Sequence, residues 1–219
     1  MLNAYVAPGQ AGLDELHLTK VPLVPGIRLH LACDAIVLWA RMEAAAGRTL
    51  PAPFWASAWP GGQALARYVV EHPGTVAGYR VLDLASGSGM VGIAAAMAGA
   101  ASVTANDVDP YALAAIRFNA LANGVVVEVC EGDLLDGDGG DAEVVLAGDV
   151  FYNTSMAERV LRFLDRVSAR GGRVLVGDPR RDCFPRDRFE VLATYRMCVD
   201  EAFEDSELKN TDVLRPRNR

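Results

Sequence analysis

The sequence predicts an α/β fold: seven strands in one mostly parallel sheet, helices on both faces, and an antiparallel edge at the C-terminal end. Three observations predict it. From residue 79 onward, strand-like apolar runs alternate with helical ones (YRVLDLA, MVGIAAAMAGA, SVTAND, PYALAAIRFNALANG, VVVEVCE), the pattern of parallel strands joined by crossover helices. A glycine loop, ASGSGM, joins the first of these strands to the helix behind it. The last two apolar runs, RFEVLATYRMCV and LKNTDVLRP, have few helical residues between them, as edge strands that turn back on each other do.

Taken in order, the chain opens polar and then alternates as a short strand over IRLHLA, residues 27–32. DAIVLWARMEAAAG reads as a helix, with Asp34 as N-cap and Gly47 as its stop, because a short carboxylate answers the free amides of a first turn and glycine closes a last one. A Pro-rich aromatic connector, LPAPFWASAWPGG, leads into the helix QALARYVVEHP, ended at His72-Pro73. After the glycine loop, Pro110 opens the helix over PYALAAIRFNALANG and Gly124 follows its end. EVVLAGD and GRVLVGD are the fourth and fifth strands, with the helix TSMAERVLRFLDRVSARGG between them. EGDLLDGDGGDA is too short and too Gly-rich for a helix, so one crossover is reduced to a loop. Residues 1–60 are expected to form an N-terminal extension (short strand, helix, aromatic loop) packed on a core of 61–219, the whole being one globular unit.

Bulk properties narrow the function classes. The 219 residues, 51% hydrophobic and 22% charged, suffice for one sizeable core. A net charge of −7 argues against a nucleic-acid partner, since phosphate contacts need clustered Lys and Arg. The terminal RPRNR is the one dense basic run and reads as a solvated tail. Cys33, Cys130, Cys183 and Cys198 form no C-x-x-C, and His17, His30 and His72 add no ligand spacing, so no metal is assigned. No apolar run reaches the about 18 residues of a membrane span, and no signal or transit pattern opens the chain. A reducing, soluble compartment is expected.

The glycine loop poses the chemical question. Gly87, Gly89 and Gly92 spell G-x-G-x-x-G, and Asp107 follows twenty residues after Gly87, as in a dinucleotide site. Yet Asp83 stands at the strand end, four residues before Gly87, where a carboxylate repels pyrophosphate and suits a cationic amino group. The chain also lacks a second set of strands for a nicotinamide half. A glycine turn kept for packing alone, and NAD, remain the alternatives. The ligand that fits is S-adenosylmethionine: Asp83 with the backbone of Ser86 to Gly89 for its zwitterionic end, Asp107 for both ribose hydroxyls, Asp133 for the adenine amine and the Leu134 N–H for the ring. The three acids fall at three consecutive strand ends, where open α/β sheets bind ligands.

VLDLASGSGM, TANDVDPYALAAIRFNALANG and CEGDLL resemble successive motifs of the seven-strand, Rossmann-like class I S-adenosylmethionine-dependent methyltransferases. In that family Gly is usual after Asp-Leu, where this chain has Ala85. The box GDVFYN, 148–153, resembles the D-x-x-Y type of protein lysine methyltransferases rather than the Asn-Pro-Pro-Tyr of enzymes acting on planar amide nitrogens. PFWASAWPGGQALARYVVEHP, with IRLHLA, GDVFY and GDP, resembles the lysine methyltransferases of the electron-transfer-flavoprotein β subunit over about residues 27–180. The resemblance implies that Trp59 packs near the cofactor, that activity depends on Asp149, and that Phe151 and Tyr152 wall the lysine channel. Its bacterial members are cytoplasmic, and a chain rich in Ala, Gly and Arg without a leader is expected to be of that kind. Where relatives often have Gly after Asp-Pro, this chain has Arg180, which is expected to alter contacts at the rim. The rival readings are a methyltransferase of a ribosomal protein or a small amine, and a silent cofactor-binding module. The box 149–152 separates them, because a silent module needs no acid and aromatics there.

Overall fold

A computed structural model describes residues 15–198 and 208–217. The sheet at its centre has seven strands in the order β5-β4-β3-β6-β7-β9-β8: β3 (Arg80–Leu84), β4 (Ser102–Asp107), β5 (Glu128–Glu131), β6 (Val144–Gly148), β7 (Arg173–Asp178), β8 (Phe189–Cys198) and β9 (Leu208–Pro216). β3 to β7 pair in parallel, whereas β9 lies antiparallel to both β7 and β8. The chain runs outward from β3 through β4 to β5, then returns to β6 on the other side of β3. The switch of direction therefore falls between β3 and β6, the place where such sheets open a crevice at their strand ends.

Alternation along the strands divides the core in two. Val81, Leu146 and Leu175 point to the face covered by α2 (Pro60–Glu71) and α3 (Met90–Met97), while Leu82, Val145, Val174 and Val176 point to the face covered by α5 (Thr154–Ala169). The period of two that makes each run a strand thus also gives both faces a helix to bury against.

The helix ends follow local chemistry. Asp34 accepts from the amides of Ile36 and Val37 to open α1 (Ala35–Ala46), and Gly47 closes it at φ 63. Asp109 caps α4 (Pro110–Ala122), whose first residue is proline, and Asn153 caps α5. Between β5 and β6 the described chain has no helix. Arg166 and Arg170 of α5 hold that loop instead, donating to the carbonyls of Leu135, Gly137, Asp138 and Ala142.

Two expectations change. A first strand, β1 (Leu16–Lys20), was not foreseen. It pairs antiparallel with β2 (Arg28–Ala32), its five residues too short to establish a period. Helix α2 begins at Pro60, not after the glycines, so the 60/61 boundary falls at its first turn. The N-terminal hairpin is fastened to α4, where Asn119 Oδ1 accepts from the His30 amide at 2.8 Å and Asn123 Oδ1 from the Arg28 amide at 2.9 Å. The terminal RPRNR run, expected as a solvated tail, begins inside β9 instead: Arg215 pairs with Glu190 and Arg217 donates to the Phe189 carbonyl. Residues 218–219 and the Cys198 side chain lie outside what is described.

Candidate active site

The glycine loop is held by carboxylates. Gly87, at φ 55, donates its amide to Asp107 Oδ2 at 2.9 Å. Gly92 donates to Asp83 Oδ2 at 2.8 Å, Ser86 Oγ reaches the same oxygen at 2.5 Å, and Gly89 donates to the Ser86 carbonyl. The amides of Gly87, Gly89 and Gly92, which would face a pyrophosphate, are thus answered from within the chain, two of them by carboxylate oxygens. This is the physical objection to a dinucleotide here. Gly92 permits the arrangement, since a Cβ there would lie 3.2 Å from Asp83 Oδ2. Asn119, fully buried, ties the loop to the hairpin by donating to the Ser88 carbonyl at 2.8 Å. Ala85, where the sequence resemblance leads one to expect glycine, has φ 51. The left-handed region costs an alanine about 1 kcal/mol.

The acids differ in setting. Asp83 shares the face of Val81 and points toward α3, not out of the sheet end, and is 1% exposed. Burial pushes its carboxyl up to about 7 against the lowering effect of Ser86 and Gly92. Asp107, at the tip of β4, holds the amides of Gly87 and Asp109 on its two oxygens, and a carboxylate with about four lone-pair sites can still accept two hydroxyls. Asp133 is exposed and ion-paired with Arg159 at 2.7 Å, and that partner and the Leu135 amide hold its pKa down. Leu134 beside it is partly buried against the α5-side core.

A second cluster forms across the switch point. At the end of β6, Asp149 turns the chain at φ 57 and donates its amide to the Gly177 carbonyl. Its Oδ2 accepts from the Gly62 amide at 2.8 Å, so it caps α2 from 87 residues away, where Trp59 supplies no side-chain cap of its own. Its Oδ1 pairs with Arg181 Nη2 at 3.0 Å. Burial raises the Asp149 pKa, outweighing Arg181 and the amides of Gly62 and Gly61. The approach is so close because four glycines meet. A Cβ on Gly148 would lie 2.8 Å from the Gly62 Cα, and one on Gly177 would strike the Gly61 carbonyl.

Around this cluster the aromatics divide. Trp59, with Nε1 bonded to the Phe54 carbonyl at 2.7 Å, has the Arg181 guanidinium carbon 6.0 Å from its ring centroid. Tyr152 is 55% exposed, and partial burial and then the charge of Asp107 raise its phenol pKa. Phe151 corrects the expectation of a channel wall. Its ring is fully buried, edge-on to Phe184 at 5.0 Å and to Phe189 at 6.0 Å. The aromatic-rich box supplies one residue to the crevice and one to the core. Trp55 is core too, stacked on Tyr111, with its indole N–H buried and without a hydrogen-bond partner among the described residues.

Sequence reasoning missed Arg181 and Asp178. The GDPRR turn carries both: the Arg181 amide donates to Asp178 Oδ1 at 2.8 Å, while Arg180, at φ 67, folds back onto Asp212 of β9 at 2.8 and 3.0 Å. Arg180, expected at the rim, is therefore tied to β9, the strand between β7 and β8, and its neighbour faces the site. The doublet was the visible signal, but which arginine turns inward depends on the turn. Among the described residues no cluster of metal-ligating side chains forms, and no helix is long and apolar enough to cross a membrane.

The family model described as lysine methyltransferase matches residues 53–193. The electron transfer flavoprotein beta subunit lysine methyltransferase of Rattus norvegicus is 40% identical over 74% of this chain and 64% of its own length, so the chain spans slightly less than two thirds of that relative. The Xenopus laevis protein of the same name is 37% identical over 92% of the chain and 83% of its own length. Among solved structures, a putative RNA methyltransferase from Pyrococcus horikoshii shares the fold with a TM-score of 0.58 at 16% identity, covering 81% of this chain and 94% of that one. The chain belongs to the lysine methyltransferase family.

Proposed function

We propose that the chain is an S-adenosylmethionine-dependent protein-lysine N-methyltransferase acting on the β subunit of electron transfer flavoprotein. One observation carries the reading: an acid-held glycine loop at the ends of β3 and β4 faces, across the switch point, a second cluster of Asp149, Arg181, Trp59 and Tyr152 just past β6 and β7 and before α2. Relatives bearing that name, 37% and 40% identical, support the substrate.

The donor set suits the cofactor. Asp107 takes the ribose hydroxyls, Asp133 and the Leu134 amide the adenine edge, and the backbone from Ser86 to Gly89 the methionine end, with Asp83 as the negative charge behind that loop. Trp59 packs beside it. When bound, the cofactor supplies an electrophilic methyl carbon, which the lysine nitrogen takes by in-line displacement while the carbon–sulfur electron pair stays on sulfur. Tyr152 guides the side chain, and Asp149 accepts from the amine and orients its lone pair. Alignment supplies most of the acceleration. Free lysine has a pKa of about 10.4, so the reactive neutral form is scarce by a factor of about a thousand at pH 7, and its proton must leave to water before transfer.

The test is incorporation of labelled methyl into purified β subunit, with sites located by mass spectrometry. Asp149→Asn keeps the α2 cap and should leave cofactor affinity near wild type while transfer falls by roughly 100-fold, the scale of lost alignment. Asp149→Ala is the less informative variant, because it also uncaps α2, whereas both variants leave the largely buried Arg181 guanidinium without its counter-charge. Full activity in Asp149→Asn would refute its role. Methyl groups on glutamine, nucleic acid, a ribosomal protein or a small amine would refute the substrate.

A further inference from the structure

Asp149 does not present an open carboxylate to an arriving amine. One oxygen is committed to the Gly62 amide and the other to Arg181, and the two side chains are only 10% and 22% exposed. Arg181 is itself fastened at both ends. Its backbone amide is bound by Asp178 Oδ1, and its guanidinium lies between the Asp149 carboxylate and the face of Trp59. Asp178, 1% exposed at the end of β7, keeps Oδ2 buried without a hydrogen-bond partner among the described residues. The charged and polar groups that face Asp149 are therefore Arg181 and Asp178 from the turn after β7 and the amides of Gly61 and Gly62 from the start of α2.

This arrangement bears on the proton that the lysine must lose. A bare carboxylate beside an amine holds the ammonium form, because an opposite charge within about 4–6 Å shifts a pKa by about 1–3 units toward the charged state. A carboxylate already matched by a guanidinium exerts little net field, yet its remaining lone pairs can still accept a hydrogen bond from a neutral amine.

We propose that Arg181 is a positioning residue which stays paired with Asp149 during the reaction, so that the acceptor amine meets a neutral ion pair and enters unprotonated. The proposal rests on the lysine-methyltransferase reading. Displacement of Arg181 by the incoming ammonium is the opposing possibility, and it disagrees with the anchoring of that residue through Asp178 and Trp59.

Two measurements decide it, on Arg181→Gln, which keeps length and hydrogen bonding, and on Arg181→Lys, which restores the charge. The first is the pH profile of kcat for methyl transfer, which reports the groups of the enzyme–substrate complex. In Arg181→Gln its rising limb should move to higher pH by about 1 unit or more, and Arg181→Lys should bring it back toward wild type. A merely structural role would lower the rate at every pH without moving the limb. An unmoved limb with a lower KM would mean that the lysine displaces Arg181, and would overturn the proposal. The second needs no substrate: carboxyl-carbon NMR of Asp149 in the folded, cofactor-free protein. Loss of the guanidinium should raise the Asp149 titration point, and an unchanged titration would overturn the pairing. If wild type fails to methylate the β subunit, the substrate reading falls. The carboxyl titration still decides the pair, and the pH profile moves to whichever protein accepts the methyl.

Discussion

Asp83 shows how one residue ties sequence position to a pH response. It shares the parity of Val81 on β3, so its carboxylate faces α3, where it holds the Gly92 amide and the Ser86 hydroxyl. Burial is the main reason its pKa stands near 7, with the charge of Asp107 adding to it. The ionised form is the one that favours a cationic amino group, and such a group would in turn lower the pKa. Affinity for S-adenosylmethionine and for its demethylated product should therefore be full above about pH 8 and weaken about tenfold by pH 6, as the ionised fraction falls through the free-protein pKa. Calorimetry at several pH values checks this. Equal affinity at pH 6 and 8 would remove Asp83 from the binding equilibrium.

At the scale of elements, the docking of α2 onto the ends of β6 and β7 builds the acceptor side of the site. Pro60 starts the helix with φ already set, and the two glycines behind it let its first turn touch Gly148 and Gly177 backbone to backbone. Asp149 then serves as the cap the helix otherwise lacks, a carboxylate at the positive end of the helix dipole. Gly177→Ala should break this contact, because the added methyl meets the Gly61 carbonyl, which belongs to backbone and cannot swing aside. The expected cost is about 1–3 kcal/mol, as for overpacking elsewhere, with weakened methyl transfer because Asp149 moves with the helix. Denaturant midpoints of the purified variant measure it. A midpoint equal to wild type would show that α2 does not need the close approach.

The whole molecule couples these pieces. The loop on β3, the hairpin of β1 and β2 and helix α4 share Asn119, and the acceptor cluster shares α2 with the same core, so ligand binding at the crevice should stabilise one cooperative unit. At 100 times its dissociation constant, S-adenosylmethionine should add about 2.7 kcal/mol, which raises Tm by roughly 5–10 °C for a chain of this size. NAD at the same concentration should leave Tm unchanged, because its pyrophosphate would meet Asp83 and Asp107 across amides already bonded. A shift with NAD comparable to that with S-adenosylmethionine would overturn the choice of cofactor.

The fold and the glycine crevice were determined by the sequence itself. Strand periodicity, helix caps at Asp34 and Asn153 or at Gly47, and the acids near the ends of β3, β4 and β5 are local signals, set by side-chain parity and by backbone amides within a few residues. Ala85 and Arg180, the two places where the resemblance leads one to expect glycine, were visible as departures. Only the structure gave their common meaning, since both adopt positive φ. The acceptor side was decided by tertiary contact. Phe151 and Tyr152 are neighbours in sequence, yet one is core and the other is exposed, because the chain leaves β6 in a left-handed turn at Asp149. Asp149 and Gly62 are 87 residues apart and Asp149 and Arg181 are 32 apart. No local propensity brings such pairs together. They meet because β6 and β7 are adjacent in the sheet and because four glycines leave room for α2 to rest on their ends.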